Sequence, residues 1–231
     1  MTVTLKVTVS FSPVVYNRRV TITTIFFDLD DTLYPADSGL WDEIKERINR
    51  YMRERMGIPA EQVSPLRQKL FEQYGTTMRG LELSYALDVP DYLAFVHGLP
   101  LKDYIGPVPG LREILQALPQ RKFIFTNGDA AHAQRVIRTV GLDGCFNGIL
   151  DILGMTPYCK PMPETFDMAL KLAGEPQARR CMMIDDQPRT TRAARARGMY
   201  SVLFGVNTPH PDADAVLSDL RQLPELLEKI A

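Results

Sequence analysis

Three cysteines, Cys145, Cys159 and Cys181, are all that the 231 residues contain. They are too few and too scattered for a disulfide framework or a zinc site, so reduced thiols in a cytoplasmic protein are expected. Neither sign of charge dominates. The 27 Lys and Arg against 28 Asp and Glu leave a formal net charge of −1, which gives no electrostatic case for a nucleic-acid polymer or an anionic membrane as partner. No apolar run approaches the ~20 residues needed to cross a bilayer. Internal repeats and low-complexity segments are absent too. Hydrophobic content of 45% and charged content of 24% are ordinary for a globular chain, and the length suits one large domain or a core domain carrying an insert.

The chain contains one abrupt junction. Thr24-Ile25-Phe26-Phe27 reads as a strand buried on both faces, and it ends in Asp28-Leu29-Asp30-Asp31. In an open α/β sheet the carboxyl ends of the strands are where ligands bind. Side chains two apart on a strand point the same way, so Asp28 and Asp30 can share one site. Two carboxylates that close repel unless a counter-charge joins them, and oxygen donors of this kind suit Mg²⁺. A solvated acidic turn is the bland alternative.

Around that junction the patterns divide the chain. In residues 1–22, Val3, Leu5, Val7, Val9 and Phe11 alternate with polar residues, and Val14 to Ile22 can return as a second strand, an N-terminal β extension without the continuous apolar segment of a signal peptide. Residues 35–105 read as all-helical. Helices are predicted over Leu40 to Met52 with Asp37 or Ser38 as N-cap, Ala60 to Tyr74, Leu81 to Leu87 and Pro90 to His97. Gly106-Pro107-Val108-Pro109-Gly110 reads as a hinge. From Leu111 helix and strand alternate, with strands at Lys122 to Thr126, Gly148 to Leu153, Cys181 to Ile184, Tyr200 to Phe204 and Ala215 to Leu217. The alternation predicts a doubly wound parallel α/β sheet over residues 23–34 and 106–231, with 35–105 inserted as a helical domain.

Three further segments end in chemistry at the same sheet edge. Thr126-Asn127-Gly128 supplies a hydroxyl and backbone N–H groups that can approach an anion, or is an ordinary strand-to-helix turn. Lys160, before Pro161, can reach a phosphate as a point charge, although an isolated Lys-Pro is commonly solvated. Asp185 and Asp186 end another apolar strand.

Taken in order, Asp28-Leu-Asp30-Asp-Thr32, Thr126, Lys160 and Asp185-Asp186 resemble the four motifs of the haloacid dehalogenase superfamily of phosphatases and related hydrolases. Over roughly residues 24–205, the stretches Tyr74-Gly75-Thr76-Thr77-Met78-Arg79-Gly80-Leu81, Phe95-Val96-His97-Gly98 and Thr126-Asn127-Gly128-Asp129 with His132-Ala133 are similar to its pyrimidine 5′-nucleotidase branch. The resemblance implies a helical cap after the first motif and a small phosphorylated metabolite, a nucleoside monophosphate, as substrate. It implies Asp28 as nucleophile and Asp30 as general acid and base. Mg²⁺ would be held by the Asp28 side chain, the Asp30 carbonyl and Asp186, with Asp185 as a second or outer contact. Thr126, Asn127 and Lys160 would bind the phosphoryl oxygens. Gln187 and Thr190 depart from the family pattern at the fourth motif, where a missing outer partner would loosen the metal.

Arg79 is the substrate contact expected from the insert. Arg189, Arg192, Arg195 and Arg197, spaced by alanines, read as a solvated helix face. Trp41, Tyr51 and Tyr85 read as core of the insert before base-stacking residues, His132 as packing or near the site entrance, and Cys159 as an oxidation-sensitive neighbour of Lys160. Two other functions fit the pattern less well. Metal-free dehalogenation of a 2-haloacid would not require Asp30, and non-catalytic binding of a phosphometabolite would not require the full set of acids.

Overall fold

The computed structural model describes residues 21–231. The β extension expected over 1–22 lies outside the described residues except for Thr21 and Ile22, which have irregular backbone. Six strands form a single parallel sheet: β1 (Thr24–Phe27), β2 (Arg121–Phe125), β3 (Gly148–Leu150), β4 (Cys181–Asp185), β5 (Tyr200–Phe204) and β6 (Ala215–Leu217), in the order β3-β2-β1-β4-β5-β6.

Alternation of side chains along each strand builds two core layers. Ile25, Phe27, Ile124, Met182, Ile184 and Val202 pack on one face with residues of α5 (Leu111–Ala117), α6 (Ala130–Thr139) and α9 (Leu223–Ile230). Phe26, Phe123, Phe125 and Met183 pack on the other, against α7 (Pro163–Ala173) and α8 (Pro188–Ala196). Burial on both faces is why these strands read as continuous apolar runs. The strand order reverses between β1 and β4, so the crevice that such sheets use for ligands opens beyond Phe27 and Asp185.

Between β1 and α5 the chain holds four α-helices and no strand: α1 (Leu40–Glu54), α2 (Ala60–Tyr74), α3 (Thr77–Ser84) and α4 (Val89–His97). Two boundaries differ from expectation. The N-cap position of α1 is Gly39, at φ +82°, rather than Asp37 or Ser38, because Ala36–Ser38 closes a 3-10 turn of its own, although the Ser38 hydroxyl accepts from the Leu40 N–H at 3.3 Å. α3 begins four residues before Leu81 because the Thr76 hydroxyl accepts from the Arg79 N–H at 3.1 Å. Tyr51 packs edge-on to Tyr92 and Phe95, with ring centroids 5.1 and 5.5 Å away.

α2 and α3 meet at Gly80, where a Cβ would lie 2.7 Å from the Leu70 Cβ and 2.9 Å from the Tyr74 ring. Gly80→Ala is therefore expected to destabilise the chain by about 1–3 kcal/mol through overpacking. The urea midpoint checks this, and an unchanged midpoint would mean that the two helices part freely.

The insert is tied to the sheet by arginines. Arg135 of α6 donates to the carbonyls of His97 and Leu99 at 2.7 and 2.6 Å. Arg79 donates to the Tyr158 carbonyl at 3.2 Å, to the Thr156 hydroxyl at 3.0 Å and to the Ile152 carbonyl, and pairs with Glu82 at 2.6 Å. No helix among the described residues is long and apolar enough to cross a membrane.

Candidate active site

Parallel register sets the acids side by side. Phe27 pairs with Ile184, the Asp28 N–H donates to the Ile184 carbonyl at 2.9 Å, and Asp185 ends the neighbouring strand. Thr126 follows β2, and its hydroxyl accepts from the Gly128 N–H at 2.9 Å. Lys160 comes from the loop between β3 and α7. Its backbone is pinned by Asn127, whose amide nitrogen donates to the Lys160 carbonyl at 3.0 Å and whose amide oxygen accepts from the Lys160 N–H at 2.8 Å. The ammonium is then delivered between two carboxylates, 2.6 Å from Asp28 Oδ1 and 2.7 Å from Asp185 Oδ2. Asn127 thus acts on Lys160 through its side chain.

One ammonium does not neutralise this cluster. Burial, aided by Asp185 and Asp186 and opposed by Lys160, holds the Asp28 carboxyl well above the ordinary range. Burial and Asp185 push Asp186 up to about 6, and burial with Asp186 and Asp30 pushes Asp31 to about 7. Asp31 Oδ1 is also buried without a hydrogen-bond partner. Lys160 stays firmly charged: burial alone would lower its pKa, but Asp185 and Asp28 raise it.

Buried oxygen donors with excess negative charge fit a hard divalent cation. Among the described residues no three Asp, Glu, His or Cys side chains converge into a complete cage, so such an ion would take two carboxylates, backbone carbonyl and water, as Mg²⁺ commonly does. The oxygens of Asp185 are both engaged, one by Lys160 and one by the Gln187 N–H at 2.9 Å. Asp186 has one oxygen bound, by the Gln187 side-chain amide at 2.8 Å, which leaves the other for a ligand. Gln187 therefore supplies outer contacts to both acids at the position where the sequence departs from the family pattern.

Asp30 lies in a different setting. Its Oδ1 accepts from the Tyr34 hydroxyl at 2.8 Å and is 3.0 Å from His132 Nε2. Burial pushes the Asp30 carboxyl up, but His132, His97 and Tyr34 together bring it below the ordinary value. His97, from the end of α4, stacks on His132 at 4.1 Å and 15°, and its Nδ1 is 2.5 Å from Asp129 Oδ2.

Above these polar groups the cavity is walled by the insert through Trp41, Ile44, Ile48, Phe71, Tyr92 and Val96. The cavity brings together Asp28, Asp30, Thr126, Asn127, Lys160, Asp185 and Asp186. Arg79 is the exception. It does not line the cavity, is 1% exposed, and binds the 152–158 loop instead, since a buried guanidinium needs its donors satisfied. Arg189 does not belong to the solvated face that its spacing predicts. It lines the cavity, its guanidinium lies 3.8 Å from the Phe71 ring centroid, and it donates to the Gly75 carbonyl at 2.9 Å. Its place in the first turn of α8, facing the strand ends, was the available signal. Arg192, Arg195 and Arg197 pair at the surface with Asp212, Asp214 and Asp167, as expected. Tyr85 is exposed, and Cys159 is fully buried, its Sγ 3.1 Å from the Tyr74 carbonyl, so its thiol is not open to oxidants as the sequence suggested.

A sequence profile described as haloacid dehalogenase-like hydrolase matches residues 22–198. Phosphate metabolism protein 8 of Saccharomyces cerevisiae is 29% identical over 88% of this chain and 72% of its own length. A glyceraldehyde 3-phosphate phosphatase of Pyrococcus furiosus is 28% identical over 92% of this chain and 95% of its own. In three dimensions a hydrolase of Bacillus subtilis, solved with bound magnesium, superposes with a TM-score of 0.60 at 20% identity, covering 90% of this chain and 99% of the other.

Proposed function

We propose, from the premise that this chain belongs to the haloacid dehalogenase-like hydrolases, that it is a Mg²⁺-dependent cytoplasmic phosphomonoesterase acting on nucleoside 5′-monophosphates, pyrimidine ones foremost. The observation that carries the reading is Asp28 at the end of the central strand, joined to Lys160 at 2.6 Å in a cluster whose carboxylates outnumber its cations. Residues 35–105 then act as the cap over a core formed by 23–34 and 106–231.

Asp28 attacks phosphorus in line while the bond from phosphorus to the alcohol oxygen breaks, leaving an aspartyl-phosphate. Asp30 gives a proton to that departing oxygen. It then takes one from the water that attacks phosphorus and frees the phosphate and Asp28. Thr126, the Asn127 backbone amide and Lys160 hold the phosphoryl oxygens. The Asp28 side chain, the Asp30 carbonyl and Asp186 would hold Mg²⁺, which when bound would offset the mutual repulsion of nucleophile and substrate. The chemistry is mainly positioning and charge stabilisation.

The walls favour a flat leaving group. Trp41, Phe71 and Tyr92 are among the lining residues, and stacking a base on an aromatic is worth ~1–3 kcal/mol, whereas a triose would leave them unused. Phosphate release from UMP and CMP is expected to exceed that from glyceraldehyde 3-phosphate and to stop in EDTA. Triose phosphate turned over while both nucleotides are ignored would move the reading to small polar phosphates. Mg²⁺ at 100 times its Kd is expected to stabilise the chain by about 2.7 kcal/mol, seen as a raised melting temperature that Asp186→Ala loses. An equal rise in the variant would remove Asp186 from the metal site.

A further inference from the structure

We infer that His132, together with Tyr34, positions Asp30 for proton transfer by holding its Oδ1, so that Oδ2 is the oxygen that meets the leaving group. The inference rests on Asp30 being the general acid of the proposed reaction. Both donors converge on Oδ1, at 3.0 Å from His132 Nε2 and 2.8 Å from the Tyr34 hydroxyl. Oδ2 lies toward the Thr126–Gly128 turn, 3.7 Å from where a Cβ on Gly128 would be. That turn is where the phosphoryl group is proposed to sit. A carboxyl held by one oxygen cannot rotate freely, and proton transfer depends on that alignment.

The His132 ring is itself fixed. Its side chain is fully buried and is not part of the cavity wall, so it acts on substrate only through Asp30. Its backbone N–H donates to Asp129 Oδ1 at 2.9 Å, while Asp129 Oδ2 holds His97, whose ring stacks on that of His132. Asp129 therefore seats both imidazoles. Oδ1 accepts from Nε2 whether or not Oδ2 carries the acidic proton, so Nε2 bears the ring hydrogen, and Nδ1 is buried without a partner, so only one ring nitrogen of His132 makes a contact. The insert takes part as well, because His97 closes α4.

The test is the dependence of kcat/KM on the leaving group, which reports phosphoryl transfer to Asp28. UMP and an alkyl phosphate need a proton on the departing oxygen; p-nitrophenyl phosphate does not. His132→Phe keeps the ring and its stacking but removes the donor, and Tyr34→Phe removes one hydroxyl. For His132→Phe the expected loss is about 10–100-fold on the first two substrates, less than the ~10²–10⁴ that general acid catalysis supplies because Asp30 itself remains, with little change on the third. A uniform loss across all three, or none, overturns the inference. Asp30→Asn is run beside it: if that variant shows no leaving-group dependence, the general-acid reading fails whatever His132 does. Should His132→Phe not fold, ¹⁵N-labelled imidazole resonances decide. A protected Nε2 proton on His132 that exchanges freely in Asp30→Ala supports the contact, and no protected proton in the unaltered chain overturns it.

Discussion

Asp28→Asn is expected to lower phosphate release roughly 10⁴-fold or more, since an amide cannot form the covalent intermediate. The loss should fall on kcat, because the groups proposed to bind phosphate remain. The fold should survive. Burial and two neighbouring carboxylates already disfavour the charge on Asp28, and Lys160 keeps its 2.7 Å contact with Asp185 when that charge is removed. Purified variant with an unchanged melting temperature and no turnover is the predicted pair of results. Turnover within tenfold of the unaltered chain would place the nucleophile elsewhere.

Lys160→Met is expected to damage stability as well as activity. The ammonium side chain is 4% exposed and contacts Asp28 and Asp185, themselves 11% and 1% exposed. Removing one partner of a buried pair leaves charge uncompensated and typically costs about 3–5 kcal/mol. For a chain of this size that corresponds to a fall of roughly 6–20 °C in melting temperature. Methionine fills similar volume, so the loss is electrostatic rather than a cavity effect. Adding Asp185→Asn should recover part of the stability but none of the activity, because one surplus carboxylate is neutralised while the phosphate ligand stays missing. A single variant as stable as its parent would mean that the cluster is already neutral without Lys160.

The sheet was legible because its strands are covered on both faces. Phe26-Phe27, Phe123-Ile124-Phe125 and Met182-Met183-Ile184 are uninterrupted apolar runs, and each ends in a residue that lines the cavity: Asp28, Thr126 and Asp185. Their meeting follows from parallel register alone. Local capping was harder to read. Asp37 and Ser38 have the right chemistry for an N-cap, yet the turn at Ala36–Ser38 leaves Gly39 in the N-cap position of α1, and the Thr76 hydroxyl moves the start of α3 away from Leu81.

Arginines defeated pattern reading in both directions. Arg79 looks available for substrate, but three of its four side-chain acceptors lie 73 to 79 residues further along the chain. Arg189 shares a helix and a spacing with solvated arginines, and its contacts with Phe71 and the Gly75 carbonyl separate it from them. The contact of His132 with Asp30 spans 102 residues and has no periodicity to announce it. Gln187 departs from the family pattern at the fourth motif, and its backbone and side chain each bind one of the two acids.

The measurement that bears most directly on the account is mass spectrometry of the acid-quenched protein during turnover of UMP with Mg²⁺. A phosphoryl group on the peptide carrying Asp28, absent in Asp28→Asn and absent without Mg²⁺, is the predicted result. Turnover with an unmodified Asp28 peptide at every time point, or with the phosphoryl group on another residue, would contradict it.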